Sequence, residues 1–190
     1  GDAERCNVLQ EIFGICFDPD PVKAVAFLTG SGDNGKSVYF TVLTALLGKA
    51  NIAAVELDRF SKDKFAAAAL VNKLANVVGD QSFVESSDES WIKTLTGGDT
   101  VRQERKGKDA VFGVNRAKMV FGCNNPPTIG DKTEAAWNRL VMVPFAFTLP
   151  LDQRNPKMLT PKFWRDDLPG ILNWALEGLT RFRANRARFT

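Results

Sequence analysis

Histidine is absent from this chain, and the other residues that build metal and redox sites are scarce. The 190 residues include no histidine and only three cysteines, Cys6, Cys16 and Cys123, which show no paired spacing. A metal site of the Cys/His type therefore has almost no ligands, and catalytic triads or general bases that need an imidazole are excluded. The cysteine pattern predicts a reduced, cytosolic protein that holds no metal beyond a hard cation.

A strong charge of one sign and a long apolar run are also missing. Lys and Arg number 25 against 22 Asp and Glu, so the net charge is only +3, and a nucleic-acid partner has to be argued from local clusters. No apolar run reaches the length of a membrane span, and the first ten residues lack the order of a signal peptide, so we expect no membrane association. A hydrophobic content of 44% suffices for the core of one domain. Because the chain starts at Gly1 without methionine, we expect it to be a piece of a longer polypeptide.

Short apolar runs alternate with segments of helical periodicity. Strands are predicted at 22–29, 52–57, 74–80, 118–123 and 140–145, and helices at 8–17, 37–48, 65–71, 86–98 and 168–186. This alternation predicts an α/β domain with a mostly parallel central sheet flanked by helices. Gly107, between two charged arms that tolerate β structure, predicts a projecting β-hairpin. We expect a leading helical segment at 1–21, a core at 22–150 and a C-terminal helical segment at 151–190.

A glycine-rich stretch between a predicted strand and a predicted helix has the spacing of a phosphate-binding loop. It reads GSGDNGKS, in which four residues separate Gly30 from Gly35, Lys36 and Ser37. Glycines let backbone N–H groups approach phosphate oxygens, and the following helix adds its positive end. Lys36 is expected to hold the outer phosphates, and Ser37 to place its hydroxyl on Mg²⁺. A chance match is the alternative. The residues predicted to contact the nucleotide are Gly30, Ser31, Gly32, Asp33, Asn34, Gly35, Lys36, Ser37 and Val38.

Polar residues near three further strands are candidates for the other roles in nucleotide hydrolysis. Asp80 follows LANVVG, where an acidic residue would hold the Mg²⁺ water shell; a solvated turn aspartate is the alternative. Asn124 ends an apolar strand and is either a sensor amide that orients water or part of a turn. Arg139 leads into LVMVPF, and the residues alone favour a structural ion pair over an arginine finger that reaches a neighbouring subunit.

The base that activates the attacking water is not evident. Gln81 stands where many ATPases have a second carboxylate, which leaves Glu56 and Glu85 as candidates.

The predicted hairpin contains a local cluster of basic residues. Arg102, Arg105, Lys106 and Lys108 lie within RQERKGKD, diluted by two acidic residues. Such a run is usually a solvated face. A basic tip is also suited to gripping a nucleic-acid backbone without reading its sequence.

Together, these segments resemble the superfamily 3 helicases, and within them the helicase domain of phage and plasmid primase-helicases. The resemblance runs from about residue 9 to about residue 178 and rests on GSGDNGKS, LANVVGDQS, WIKTLTGGDTVRQERKGKD, AKMVFGCNNPP, AAWNRLVMVPF and LPGILNWALEGL. It implies a P-loop NTPase fold of the AAA+ type and a homo-oligomeric, hexameric ring. Such a ring would hydrolyse ATP with Mg²⁺ and move single-stranded DNA through its centre to unwind duplexes. It further implies a mobile-element or viral protein of the cytoplasm, with a flanking primase or polymerase domain.

The resemblance also assigns roles to individual positions. Lys36 and Ser37 would bind ATP and Mg²⁺, and Asp80 would hold the metal. Asn124 would sense the terminal phosphate, and Arg139 would act in trans as the arginine finger. The DNA contacts would come from Arg105, Lys106 and Lys108.

Two rival functions are compatible with the phosphate loop. A small-molecule or nucleoside kinase would be active as a monomer without DNA, and would need an arginine-rich lid that the sequence does not display. A fragment that binds nucleotide and forms a ring, without the flanking domains that load DNA, would not unwind.

Overall fold

A five-stranded parallel sheet forms the centre of the protein. The computed structural model describes residues 2–81, 90–105, 108–125 and 133–190. The strands of the sheet are β1 (Val25–Thr29), β2 (Ile52–Ala53), β3 (Ala75–Val78), β6 (Lys118–Cys123) and β7 (Leu140–Pro144), arranged in the order β2-β3-β6-β1-β7. Strands β4 (Thr100–Arg105) and β5 (Lys108–Val114) form a separate antiparallel hairpin. This is the predicted mixed α/β fold with its projecting hairpin.

Helices cover both faces of the sheet. They are α1 (Asp2–Ile15), α2 (Lys36–Leu47), α3 (Arg59–Lys62), α4 (Ser90–Thr96), α5 (Glu134–Trp137) and α6 (Leu168–Ala184). Short 3-10 turns lie at Lys49–Asn51, Ala66–Leu70, Leu151–Gln153, Pro156–Leu159 and Pro161–Trp164. None of the described helices is long and apolar enough to cross a bilayer.

The core is divided into two layers by the side-chain alternation of the strands. In β1, Ala26 and Leu28 face a cluster formed with α1 and α2 that includes Phe13 and Leu43. Val25 and Phe27 point the other way, into a cluster with α4. Successive side chains of a strand point to opposite faces, so an all-apolar strand requires cover on both sides. The uninterrupted apolar character of this strand, which favours a buried parallel sheet, therefore matches its position in the middle of three layers.

The predicted strand over 52–57 is mostly wrong, and a buried asparagine explains the difference. Only Ile52 and Ala53 pair with β3. Beyond them, Asn76 Oδ1 accepts a hydrogen bond from Val55 N at 2.8 Å, and Asn76 Nδ2 donates to Val55 O at 2.9 Å. A side-chain amide can satisfy both backbone groups of one residue, so this stretch does not need a strand partner.

Three helix predictions differ from the structure at their boundaries or type. The leading helix begins at Asp2, six residues before its predicted start, because the polar first turns do not show the apolar spacing that marked 8–17. The alanine-rich 65–71 segment forms a 3-10 turn at Ala66–Leu70. Of the predicted helix over 86–98, the part that lies within the described residues forms α4.

Helices α1 and α6 pack together through a buried ionic cluster. The Glu11 side chain is fully buried, and Oε1 accepts a hydrogen bond from Arg181 Nε at 2.7 Å. Its other oxygen accepts from the backbone N–H of Thr190 at 2.9 Å. The cluster fixes the C-terminal residues to the first helix.

Candidate functional site

The phosphate loop lies at the carboxyl end of β1 and leads directly into α2. Gly30 N donates to Cys123 O at 3.1 Å, which holds the start of the loop beside β6. A Cβ atom at Gly30 would lie 2.6 Å from the backbone O of Phe145, so only glycine fits there. At the other end, Gly35 has a φ of 90° and caps the helix. Left-handed backbone, which glycine adopts without strain, is therefore present at the entrance to the helix.

The Lys36 side chain is buried and bonded within its own loop. Its Nζ donates to Gly30 O at 2.5 Å and to Asn34 Oδ1 at 3.0 Å. Burial lowers the pKa of the Lys36 ammonium, while the nearby Cys123 and Asp80 side chains oppose this shift. Asn34 Nδ2 in turn donates to Phe145 O at 3.0 Å, which ties the loop to the end of β7. The amine is thus held where phosphate oxygens would replace its two loop acceptors.

Most of the predicted nucleotide-site residues line one cleft of about 530 Å³. The cleft is lined by Gly32 to Val38 of the loop and helix start, by Gly79 and Asp80 after β3, and by Asn124 after β6. Strands β3, β6 and β1 are neighbours and parallel, so their carboxyl ends meet at one edge of the sheet. In open α/β sheets this edge is where ligands bind. Gly30 and Ser31 belong to the loop but lie outside the cleft lining.

This arrangement fits a triphosphate with a hard cation. The backbone of the loop and the N-terminus of α2 provide N–H donors, Lys36 a positive charge, and Ser37 and Asp80 oxygen ligands of the type that Mg²⁺ prefers. Among the described residues, no three His, Cys, Asp or Glu side chains cluster into a metal site built from protein alone. A cation at this position would therefore need phosphate oxygens and water to complete its coordination.

Arg139 is the predicted site residue that the structure places away from the cleft. It lies immediately before β7, whose first residue Leu140 pairs with Val25 at the amino end of β1. The phosphate loop follows the other end of β1, about 16 Å away at 3.3 Å per residue. Its Nη1 donates to Ala135 O, whereas its buried Nε has no hydrogen-bond partner. Arg139 is therefore not part of its own subunit's cleft.

The basic hairpin is a separate element. Arg105 and Lys108 pair at its closing end, and Lys106 lies outside the described residues. On strand β4, the Glu104 carboxylate forms salt bridges with Arg102 Nη2 at 3.0 Å and with Lys64 Nζ at 2.9 Å. Hydrogen bonding to Lys64 lowers the pKa of Glu104. Arg102 therefore shares the Glu104 carboxylate with Lys64.

Gln81, which stands where many ATPases have a second carboxylate, has a structural role. It is buried, and its Oε1 accepts from Leu57 N at 2.9 Å. Of the two candidate bases, Glu56 is exposed and does not line the cleft. Glu85 lies outside the described residues.

The side of the cleft that faces the phosphate loop was not predicted from the sequence. It comes from the segment 149–159, and its lining residues are Leu149, Leu151, Arg154, Asn155, Pro156, Met158 and Leu159. This segment folds as short 3-10 turns, which leave no periodic pattern in the sequence. Its apolar residues and two prolines were the only signal, and they did not indicate a ligand site.

Comparison with known proteins gives relatives among viruses. The chain is 31% identical over 138 residues to protein 184R of Invertebrate iridescent virus 6, whose name describes it as a candidate helicase. The match covers 66% of this chain and 14% of that protein. A similarly named protein, L207/L206 of Acanthamoeba polyphaga mimivirus, is 30% identical over 125 residues, covering 62% of this chain and 13% of the relative. The chain thus spans about a seventh of the length of these relatives.

Solved structures share the fold at low sequence identity. The C-terminal region of NrS-1 superimposes with a TM-score of 0.65 at 18% identity, over 93% of this chain and 41% of that one. The JCV helicase gives a TM-score of 0.50 at 14% identity, over 94% of this chain and 54% of that one. These likenesses confirm the P-loop NTPase type of fold predicted from the sequence.

The matched family covers more than half of the chain. A family model described as a family of unknown function, DUF5906, matches residues 28–139, which include the phosphate loop, Asp80, Asn124 and Arg139. The viral relatives and the shared fold are those of helicase-like proteins. The chain therefore belongs to the DUF5906 family.

Proposed function

We propose that this chain is the ATPase domain of a replicative DNA helicase of superfamily 3, of the primase-helicase type, and that it works as a ring on single-stranded DNA. The observation that carries the proposal is the meeting of the phosphate loop, Asp80 and Asn124 in one cleft. The helicase names of the viral relatives support it.

In this proposal, each residue of the cleft has one task. Lys36 exchanges its bonds to Gly30 O and Asn34 Oδ1 for oxygens of the outer phosphates, where its charge offsets the charge that develops during transfer. Asn124 orients the attacking water towards the terminal phosphate. Ser37 and Asp80 hold Mg²⁺, which, when bound, would neutralise phosphate charge.

Arg139 completes the site of a neighbouring subunit. Its position at the opposite edge of the sheet from its own phosphate loop supports action in trans. A single subunit would then be a poor ATPase, and hydrolysis would depend on assembly. Sequential hydrolysis around a ring of six subunits would move the hairpins relative to one another and pull the strand.

The hairpin supplies the DNA contact. Arg105, Lys106 and Lys108 would touch the phosphate backbone, and contacts of this kind are independent of sequence and weaken with salt. The flanking primase or polymerase domain belongs to the parent polypeptide, in keeping with the small share of the viral relatives that this chain covers.

The first test is ATP hydrolysis measured against protein concentration, with and without single-stranded DNA. We expect the specific activity to rise cooperatively with concentration and again with DNA, and Lys36→Ala to abolish it. A flat specific activity that ignores DNA would contradict a ring motor and favour a P-loop kinase. Concentration-dependent hydrolysis without duplex unwinding would instead identify a ring-forming fragment.

A further inference from the structure

The cleft has a second half that the phosphate chemistry does not use. Opposite the loop, Leu149, Leu151, Met158 and Leu159 form an apolar wall. Leu151 is 77% exposed and Leu159 is 50% exposed, an uncommon state for leucines that face a concave site. Phosphates and Mg²⁺ gain nothing from such a surface, so the wall calls for a different part of a ligand.

The wall is fixed to the phosphate loop by two contacts with Asp33. Leu149 N donates to Asp33 O at 2.9 Å, and Arg154 Nη1 lies 2.9 Å from Asp33 Oδ2. Arg154 Nε also donates to Leu149 O at 2.9 Å. The two halves of the cleft are therefore held at a set separation by Asp33 and Arg154.

The far end of the wall is anchored to the core. Trp164 Nε1 donates to Met158 O at 2.8 Å, and the Trp164 ring packs against the cluster that contains α2. Asn155 Oδ1 accepts from Lys157 N at 3.1 Å and so caps the turn that presents Met158 and Leu159. The leucines are exposed although the backbone that carries them is tied down, which is the arrangement of a preformed ligand surface.

We propose that this wall binds the base and ribose of the nucleotide whose phosphates the loop holds. The inference rests on the proposed function. A cleft of about 530 Å³ lies in the size range of small-molecule sites and is continuous from Lys36 to Leu159. Every nucleobase has an apolar face that packs on a surface of this kind.

Two polar groups of the wall, the Arg154 guanidinium and the Asn155 amide oxygen, are already engaged within the fold, and this affects its selectivity. Arg154 is paired with Asp33 and with Leu149 O, and Asn155 Oδ1 is used within its own turn. A base would therefore be recognised through apolar contact more than through hydrogen bonds. Apolar pockets discriminate weakly between ligands of similar shape, so ATP and GTP should bind within about tenfold of each other.

The test compares ATP with inorganic tripolyphosphate, which carries the phosphates alone. Binding of each, with Mg²⁺, is measured by titration calorimetry for the unaltered chain and for the double variant Leu151→Ser with Leu159→Ser. Phe147→Ser is the matched control, because Phe147 is 68% exposed in the same stretch of chain but does not line the cleft. Lys36→Ala tests the phosphate half.

We expect ATP to bind at least tenfold more tightly than tripolyphosphate to the unaltered chain. The double variant should bind ATP about tenfold more weakly and tripolyphosphate within about twofold of normal, and Phe147→Ser should change neither. Equal affinity for both ligands, or an equal loss of both in the double variant, would overturn the inference while leaving the phosphate site in place. Failure of the unaltered chain to bind either ligand would overturn the proposed function, and this inference with it.

Discussion

Asn34 holds Lys36 within the phosphate loop. The Lys36 ammonium donates to Asn34 Oδ1 at 3.0 Å, while Asn34 Nδ2 donates to Phe145 O at 3.0 Å. One amide thus links Lys36 to the end of β7. Its two ends need different chemistry, an acceptor towards Lys36 and a donor towards Phe145, and the asparagine amide provides both.

Asn34→Asp should impair nucleotide binding more than Asn34→Ala. Aspartate keeps the acceptor for Lys36 but loses the donor to Phe145 O and adds a negative charge beside the phosphates. We expect its ATP affinity to fall at least tenfold further than that of the alanine variant, about 1.4 kcal/mol. Calorimetric titration of both variants checks this order. Equal affinities for the two would show that the amide serves only as a tether.

Arg139→Ala should lower ATP hydrolysis on the order of 10³-fold and leave ATP binding nearly intact, because a finger acts on the transition state of the neighbouring site. The decisive measurement mixes Arg139→Ala subunits with Lys36→Ala subunits. In a randomly mixed ring, roughly a quarter of the interfaces would join an intact phosphate loop to an intact finger, so activity should reappear. Each variant on its own should be inactive.

A structural role for Arg139 gives a different pattern. Arg139 Nη1 is bonded to Ala135 O, so a purely structural arginine would lower the thermal stability on substitution. Mixing would then restore nothing. Melting curves of the variant, measured beside the mixing experiment, separate the two roles.

The sequence predicted the parts of this protein in which local pattern and tertiary position agree. Strand β1, the loop from Gly30 to Ser37 and helix α2 were predictable because apolar runs, glycine spacing and helical periodicity all apply there. The shortening of the predicted 52–57 strand was not predictable, because it depends on the Asn76 side chain, which is distant in the sequence. The apolar wall at 149–159 was missed because its 3-10 turns, of three and four residues, are too short for a periodic pattern to be detected.

Replacing Arg105, Lys106 and Lys108 together with alanine should leave basal ATP hydrolysis unchanged and remove its stimulation by single-stranded DNA. The cationic hairpin tip would contact phosphates, and each lost contact reduces the salt dependence of binding. Hydrolysis with and without DNA, and DNA affinity at several salt concentrations, are the measurements. Arg102→Ala is the control, because Arg102 is already paired with Glu104 at 3.0 Å. Unchanged stimulation in the triple variant would place the DNA contact elsewhere.

Arg181→Ala should destabilise the fold by about 3 kcal/mol, because it leaves the Glu11 carboxylate buried without its cation. The Glu11 side chain is 0% exposed, and its Oε1 accepts a hydrogen bond from Arg181 Nε at 2.7 Å. Denaturant unfolding measures the loss, and Arg59→Ala is the control, since its solvent-exposed pair with Asp63 should contribute little to stability. Adding Glu11→Gln to Arg181→Ala should recover part of the stability, because the buried charge is then gone. A loss from Arg181→Ala no larger than that from Arg59→Ala would mean that water reaches Glu11 once the arginine is removed.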